Sequence, residues 1–169
     1  RVEADVAKGF AEYRLDNVAN VIYDFVWNEF CDWYIEASKS TLYDESEENA
    51  PRGRAARATA HFALDTILRL LHPIAPFITE DIWQSLPRGE GAPEALIVAP
   101  FPIQRPECSH PEASGTFDLA IELIQAFRAI RGETGVKPGK TIEEVFLIAS
   151  ESAQRDAIAA TEAMVTKLA

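Results

Sequence analysis

Positive charge is in short supply in this chain. Its 169 residues carry 16 Lys and Arg against 27 Asp and Glu, a formal net charge of −11. Proteins that coat nucleic acid or lie on anionic membranes without specificity rely on summed positive charge. The balance argues against both roles and leaves room for a local basic patch. Cysteine is scarcer still. Cys31 and Cys108 lie far apart and suggest no disulfide framework, which predicts a reducing, cytoplasmic setting. No apolar run approaches the roughly 18 residues that a membrane span needs, and no signal peptide is evident. Internal repeats, low-complexity tracts, a nucleophile-elbow serine, a zinc-ligand cluster and a dinucleotide fingerprint are missing too. What is present is ordinary globular composition, 47% apolar and 25% charged. It is enough for one domain with a real core, or one domain and a small appendage.

Residue 1 is Arg, not Met, and helix-like sequence begins at once, over residues 1–12. Residues 153–168 still read as helix and meet no Gly or Pro terminator. The expectation is a piece of a longer chain, whose function can belong to the parent.

Periodicity predicts a mostly helical bundle. Over residues 16–38, Val18, Ile22, Val26, Phe30, Trp33 and Ala37 recur at the spacing of one helix face, with Asp16 as the cap. Phe25, Trp27 and Tyr34 widen that face; of the aromatic string Tyr23, Phe25, Trp27, Phe30, Trp33 and Tyr34, most is expected in the core and one or two rings at a surface. Residues 44–54 read as a polar loop. Pro51 suits the first turn of the next helix, which places Phe62, Leu64, Leu68 and Leu71 inward and breaks at His72-Pro73. Thr79 is expected to cap another helix carrying Ile82, Trp83 and Leu86. Residues 96–98 read as a short strand, 99–115 as irregular, and 112–133 as helix with Phe117, Ile121, Ile124, Phe127 and Ile130. A turn over 135–141, a strand over 145–148 and a last helix from Ser152 complete the chain. The predicted fold class is therefore mainly α. A helical bundle spans 1–135, and a small β-α appendage spans 136–169, truncated on the way to a missing C-terminal region.

Four constellations invite chemistry. GVKPGKT (135–141) has the flavour of a phosphate loop, but only three residues separate its glycines where four are needed. A helix precedes it and a strand is expected after it, the reverse of that motif's setting. Glu29, Asp32 and Glu36 share a helix face. They could bind metal, yet none of the three has a His three residues on, as a di-metal bundle would require, so a solvated acidic face is the plainer reading. Cys31 lies in an apolar helix among acids, which disfavours a reactive thiolate and suits a buried structural cysteine. Basic residues gather at Arg52, Arg54 and Arg57, and again at Arg128, Arg131, Lys137 and Lys140. These groups are either local RNA-facing patches or solvated surface.

Two long strings carry more weight: YDFVWNEFCDWYIEASKSTLY (23–43) and LLHPIAPFITEDIWQSLP (70–87). Together with ALIVAPFP (95–102) and FRAIRGETGVKPGKTIEEVFL (127–147), they resemble the anticodon-binding helical domain of class I aminoacyl-tRNA synthetases. WNEFCDWY points to the valyl branch, while the HP-x-x-PF-x-TE-x-x-W string is shared with the isoleucyl and leucyl branches. The resemblance covers nearly the whole chain. It implies recognition of the anticodon stem-loop of tRNA(Val), with no catalytic residue here. ATP, Mg and valine–tRNA ligation would belong to a parent catalytic domain of the same chain, since neither ATP-site signature of the family occurs in these residues. The isoleucyl branch, or a structural or protein-interaction bundle without RNA binding, remains the alternative. Polarity and position, rather than the resemblance, nominate Arg14 and Asn17 for base edges and Arg128, Arg131, Lys137 and Lys140 for phosphates. Trp27, Asn28, Asp32 and Trp33 are expected to pin helices together or to meet the catalytic domain.

Overall fold

The computed structural model describes residues 1–44, 46–137, 140–142 and 144–169, with their side chains except at position 153. Pro138 and Gly139 of the expected 135–141 turn, and Glu45 of the expected 44–54 loop, lie outside the described residues. The chain forms two compact units, Arg1–Pro106 and Glu107–Ala169. In the second unit the long helix that ends at Glu133 packs against the last one.

The first unit begins with α1 (Val2–Ala11) and α2 (Leu15–Asp24). Their contact is close: a Cβ on buried Gly9 would lie 2.6 Å from Val18 Cγ2. Val6, Val18 and Ile22 form a buried cluster there with Leu70, flanked by Val2, Phe10, Val21, Val26 and Leu71. Asp16 is not the cap it was expected to be. It sits within the first turn of α2 after Arg14, where a carboxylate still complements the helix dipole.

The helix does not stop at Asp24. It widens into a π-helical stretch, Phe25–Ile35, and returns to α geometry in α3 (Glu36–Tyr43). Wider turns change the phase of the side chains, so the expected 3.6-residue stripe runs out. Val18 and Ile22 are buried, whereas Val26, Phe30, Trp33 and Ala37 are only half-buried. Of the aromatic string, Tyr23 and Trp27 face solvent, 62% and 57% exposed, and Phe25, Phe30, Trp33 and Tyr34 are half-buried. Cys31, expected to be buried, is exposed for the same reason.

α4 (Ala50–Leu71) follows, with Pro51 in its first turn as expected. The Asn49 amide donates to Thr41 O at 2.9 Å, and Tyr34 Oη donates to Ala56 O at 3.0 Å, tying α3 and the π stretch to α4. Phe62, expected inward, is 39% exposed, with Arg105 over its ring. α5 (Pro76–Gln84) contains Thr79 as an interior, fully buried residue and not as a cap. Pro76 takes the first-turn position instead.

The HP-x-x-PF-x-TE-x-x-W string turns out to be a hydrogen-bonded clasp. Thr79 Oγ1 donates to Ala75 O (2.8 Å) and meets His72 Nδ1 (2.8 Å). The Trp83 indole donates to Asp65 Oδ1 (2.7 Å), and Arg69 grips the same carboxylate (2.8 Å) and Pro100 O (3.2 Å). Glu80 accepts from the Leu96 N–H (2.8 Å), and Arg88 lies 4.8 Å above the Trp83 ring. Leu68, Trp83 and Leu96 make the second buried cluster beneath. These bonds explain a failed expectation. Leu96–Val98 is a 3-10 turn pulled in at Leu96 by Glu80, not a strand.

The second unit holds α6 (Pro111–Glu133) and α7 (Ser152–Leu168), packed together with Ala120, Ile124 and Thr161 buried. Ile130, expected inward, is 53% exposed. The predicted β-α appendage is not formed. Residues 145–148 run without regular structure, Phe146 79% and Ile148 98% exposed. A strand needs a neighbour to satisfy its backbone, and the described residues contain no strand that could pair with this one.

Candidate nucleic-acid interface

The residues nominated for RNA contact fall on both units, and each surface is built locally. On the first unit they lie at the α1–α2 junction. α1 ends without glycine, and Tyr13 takes the turn itself at φ 56°, in the left-handed region that a bulky residue seldom occupies. Its ring is 90% exposed. Arg14 precedes α2, and Asn17 faces solvent in its first turn. Arg14 forms a two-point pair with Asp16, Nε to Oδ1 at 3.0 Å and Nη2 to Oδ2 at 2.8 Å. The hydrogen bond from Arg14, helped by the Asn17 backbone N–H, lowers the Asp16 carboxyl to about 2. The same bond raises the Arg14 guanidinium above its ordinary value. Thus the junction displays a planar guanidinium held in one orientation, a neutral amide and an aromatic ring. Those are the groups that read unpaired bases. Tyr13 escaped the sequence reading; the signal available was a helix end without Gly just before Arg14.

The WNEFCDWY stretch divides by exposure. Trp27, Asn28 and Asp32 are exposed, and Trp33 is half-buried. Trp27 stacks on Tyr23 with ring planes 3° apart and centroids 6.3 Å apart. The pairing is internal to one continuous helical run. Glu29 pairs with Arg1, and Glu36 with Lys39. Among the described residues, no group of three His, Cys, Asp or Glu is arranged to hold a metal ion. Arg52, Arg54 and Arg57 are all exposed on the first turns of α4.

On the second unit the nominated cations gather around the end of α6. Gly135 has φ 69° and closes the helix, its N–H bonding Gly132 O, while the Val136 N–H reaches back to Arg131 O at 2.9 Å. This paired pattern is the Schellman stop, so Gly135 of GVKPGKT terminates a helix. Arg131 Nη1 donates to Lys137 O (3.2 Å) and Lys140 O (3.0 Å). The structure thereby brings Arg131, Lys137 and Lys140 together. Arg128 is engaged elsewhere: its Nε and Nη2 donate to Leu168 O at the end of α7, at 3.1 and 2.6 Å. Arg128, Lys137 and Lys140 are exposed.

Two open grooves among the described residues, one of about 440 Å³ beside α5 and one of about 410 Å³ at residues 88–94, are lined by none of the nominated RNA-contact residues. The candidate interface is open surface, which suits a stem-loop better than a small molecule. No helix among the described residues is long and apolar enough to cross a membrane.

Comparison with known proteins bears directly on these surfaces. Residues 1–147 match the family described as the anticodon-binding domain of tRNA ligase. Similar curated proteins include the valine–tRNA ligase of Geobacter sulfurreducens, 41% identical over 142 residues, which are 84% of this chain and 16% of that protein. The valine–tRNA ligase of Syntrophotalea carbinolica is 40% identical over 168 residues, 99% of this chain and 18% of that protein. That of Geobacillus kaustophilus is 42% identical over 137 residues, 81% of this chain and 15% of that protein. The chain thus spans less than a fifth of the length of each of these relatives. With the match covering both the α1–α2 junction and the end of α6, the chain belongs to the family of anticodon-binding domains of tRNA ligases.

Proposed function

We propose that this chain recognises the anticodon stem-loop of tRNA(Val) as part of a valine–tRNA ligase. The observation that carries the reading is the family match over 1–147 together with valine–tRNA ligases as relatives at about 40% identity over most of the chain. Ligation of valine, with its need for ATP and Mg, is assigned to a catalytic domain of the parent protein. That domain is also the proposed partner of exposed Trp27, Asn28 and Asp32. The parent is expected to work in the cytoplasm.

Within the chain, the anticodon-binding region is taken as residues 1–135 with the turn that follows. Arg14 and Asn17 contact base edges, and the exposed Tyr13 ring offers a stacking face beside them. Arg128, Arg131, Lys137 and Lys140 form the phosphate-facing set. A chain with net charge −11 needs such local cations to approach RNA, and its binding should weaken steeply with salt.

An amide NMR titration with a valine-type anticodon stem-loop tests the proposal. Shifts are expected at residues 13–17 and around the end of α6. The first group should vanish when the middle anticodon base is changed. Identical shifts with either stem-loop would overturn base recognition, and no shifts with either would overturn RNA binding by this chain.

A further inference from the structure

The end of α6 contains more organisation than a helix stop requires. Arg131 works there twice. Its carbonyl accepts the Val136 N–H at 2.9 Å and fixes how the chain leaves the helix. Its guanidinium then folds over the turn and donates to Lys137 O at 3.2 Å and Lys140 O at 3.0 Å, while the Lys140 N–H bonds Lys137 O at 2.9 Å. Arg131 is half-buried; Lys137 and Lys140 are exposed. A guanidinium whose Nη1 is spent on two backbone carbonyls is poorly placed to offer a two-point fork to a phosphate. Among the described residues the two lysine side chains carry no such commitment, but a lysine is a flexible point charge that loses rotamer freedom when it binds. Fixing the backbone on which it stands removes the further cost of ordering that backbone on binding.

We propose that Arg131 is a positioning residue: it clips the turn after α6 so that Lys137 and Lys140 are presented together to consecutive RNA phosphates. The proposal rests on the reading of this chain as a tRNA-binding domain and assigns distinct roles within its cationic set. Arg131 acts through the lysines, and the lysines make the contacts.

The test uses R131K, R131Q and the double variant K137A/K140A, alone and combined, in this chain and in the intact protein. The probe is a valine-type tRNA transcript, titrated over a range of salt concentrations. Amide exchange at Lys140 reports the clip itself, with or without RNA. K137A/K140A should reduce the slope of log affinity against log salt by about 1.4 to 1.8, the share of two phosphate contacts. R131K, although it keeps the charge, should weaken binding as R131Q does and speed Lys140 exchange. Neither should weaken binding further once both lysines are gone. That non-additivity is the signature a merely structural arginine would not produce.

If R131K binds at wild-type affinity, while R131Q lowers the salt slope by about one with Lys140 exchange unchanged, Arg131 is a direct phosphate ligand and the proposal fails. Failure of the wild-type chain and the intact protein to bind the transcript would instead overturn the functional reading, and the proposal with it. Binding that is intact in wild type and in K137A/K140A would overturn only the role of this turn.

Discussion

Replacing Asp65 is the sharpest probe of the clasp that holds the first unit together. Trp83 is 1% exposed, and its indole N–H has Asp65 Oδ1 as acceptor at 2.7 Å. Asp65→Ala strands that donor in the core, at a cost of about 1–3 kcal/mol. It also removes the Arg69 pair, whose side chains are 22% and 23% exposed, for roughly another 0.5–1 kcal/mol. The expected loss is about 1.5–4 kcal/mol, a large share of the roughly 5–15 kcal/mol typical of a domain. Asp65→Asn keeps an oxygen for the indole but turns an NH2 toward Arg69 Nε, so it loses the Arg69 pair and should still cost less than Asp65→Ala. All three tryptophans (Trp27, Trp33 and Trp83) lie in Arg1–Pro106, so urea unfolding followed by tryptophan fluorescence reports that unit alone. A Trp83→Phe partner completes a double-mutant cycle, with an expected coupling of about 1.5–3 kcal/mol for a bond to a charged acceptor. Asp65→Ala within about 0.5 kcal/mol of wild type, or a coupling near zero, would refute the reasoning.

Three further outcomes follow from the geometry. Gly9→Ala should destabilise the first unit by about 1–3 kcal/mol in the same denaturation assay, because the new Cβ lands 2.6 Å from a methyl of fully buried Val18. Thr79→Val should cost about 1–3 kcal/mol, with Thr79→Ser near wild type in thermal melts. The hydroxyl is the partner of His72 Nδ1, and His72 Nε2 is already buried without one. Carboxyl ¹³C NMR should place the Asp16 midpoint near 2, returning toward the ordinary value in Arg14→Ala. A carboxyl lowered in the folded state stabilises it fully above the ordinary carboxylate range and loses that contribution as pH falls through about 2. Added salt should shrink the effect, because the pair is exposed.

Legibility differed by element. Helices were readable wherever a face was buried in one phase. Val18 and Ile22, four residues apart, mark α2, and Pro51, Pro76 and Pro111 occupy the first turns of three helices. Both strand expectations failed from one cause. Short β-branched runs such as 96–98 and 145–148 report local preference, while a strand exists only with a partner, which no periodicity within the run can announce. The π stretch defeated the reading differently. Its residues satisfy a 3.6 period in sequence and leave it in space, which moved Trp27 and Cys31 outward together.

The candidate site was less legible than the family, and the reason is physical. In the HP-x-x-PF-x-TE-x-x-W string each polar side chain has a partner inside the chain: His72 with Thr79, Glu80 with the Leu96 N–H, Trp83 with Asp65. Interlocked bonds fix residue type and spacing at once, so such a string is long and specific, and what it specifies is architecture. Residues that meet a ligand face the opposite condition. Asn17, Lys137 and Lys140 stand on open surface, where the fold constrains their type weakly. Arg131 lies between the two cases. Its bonds to Lys137 O and Lys140 O are internal and directional, yet they are made to a turn whose lysines point outward. A side chain of that kind links what a sequence encodes strongly, the end of a helix, to what it encodes weakly, the surface displayed to RNA.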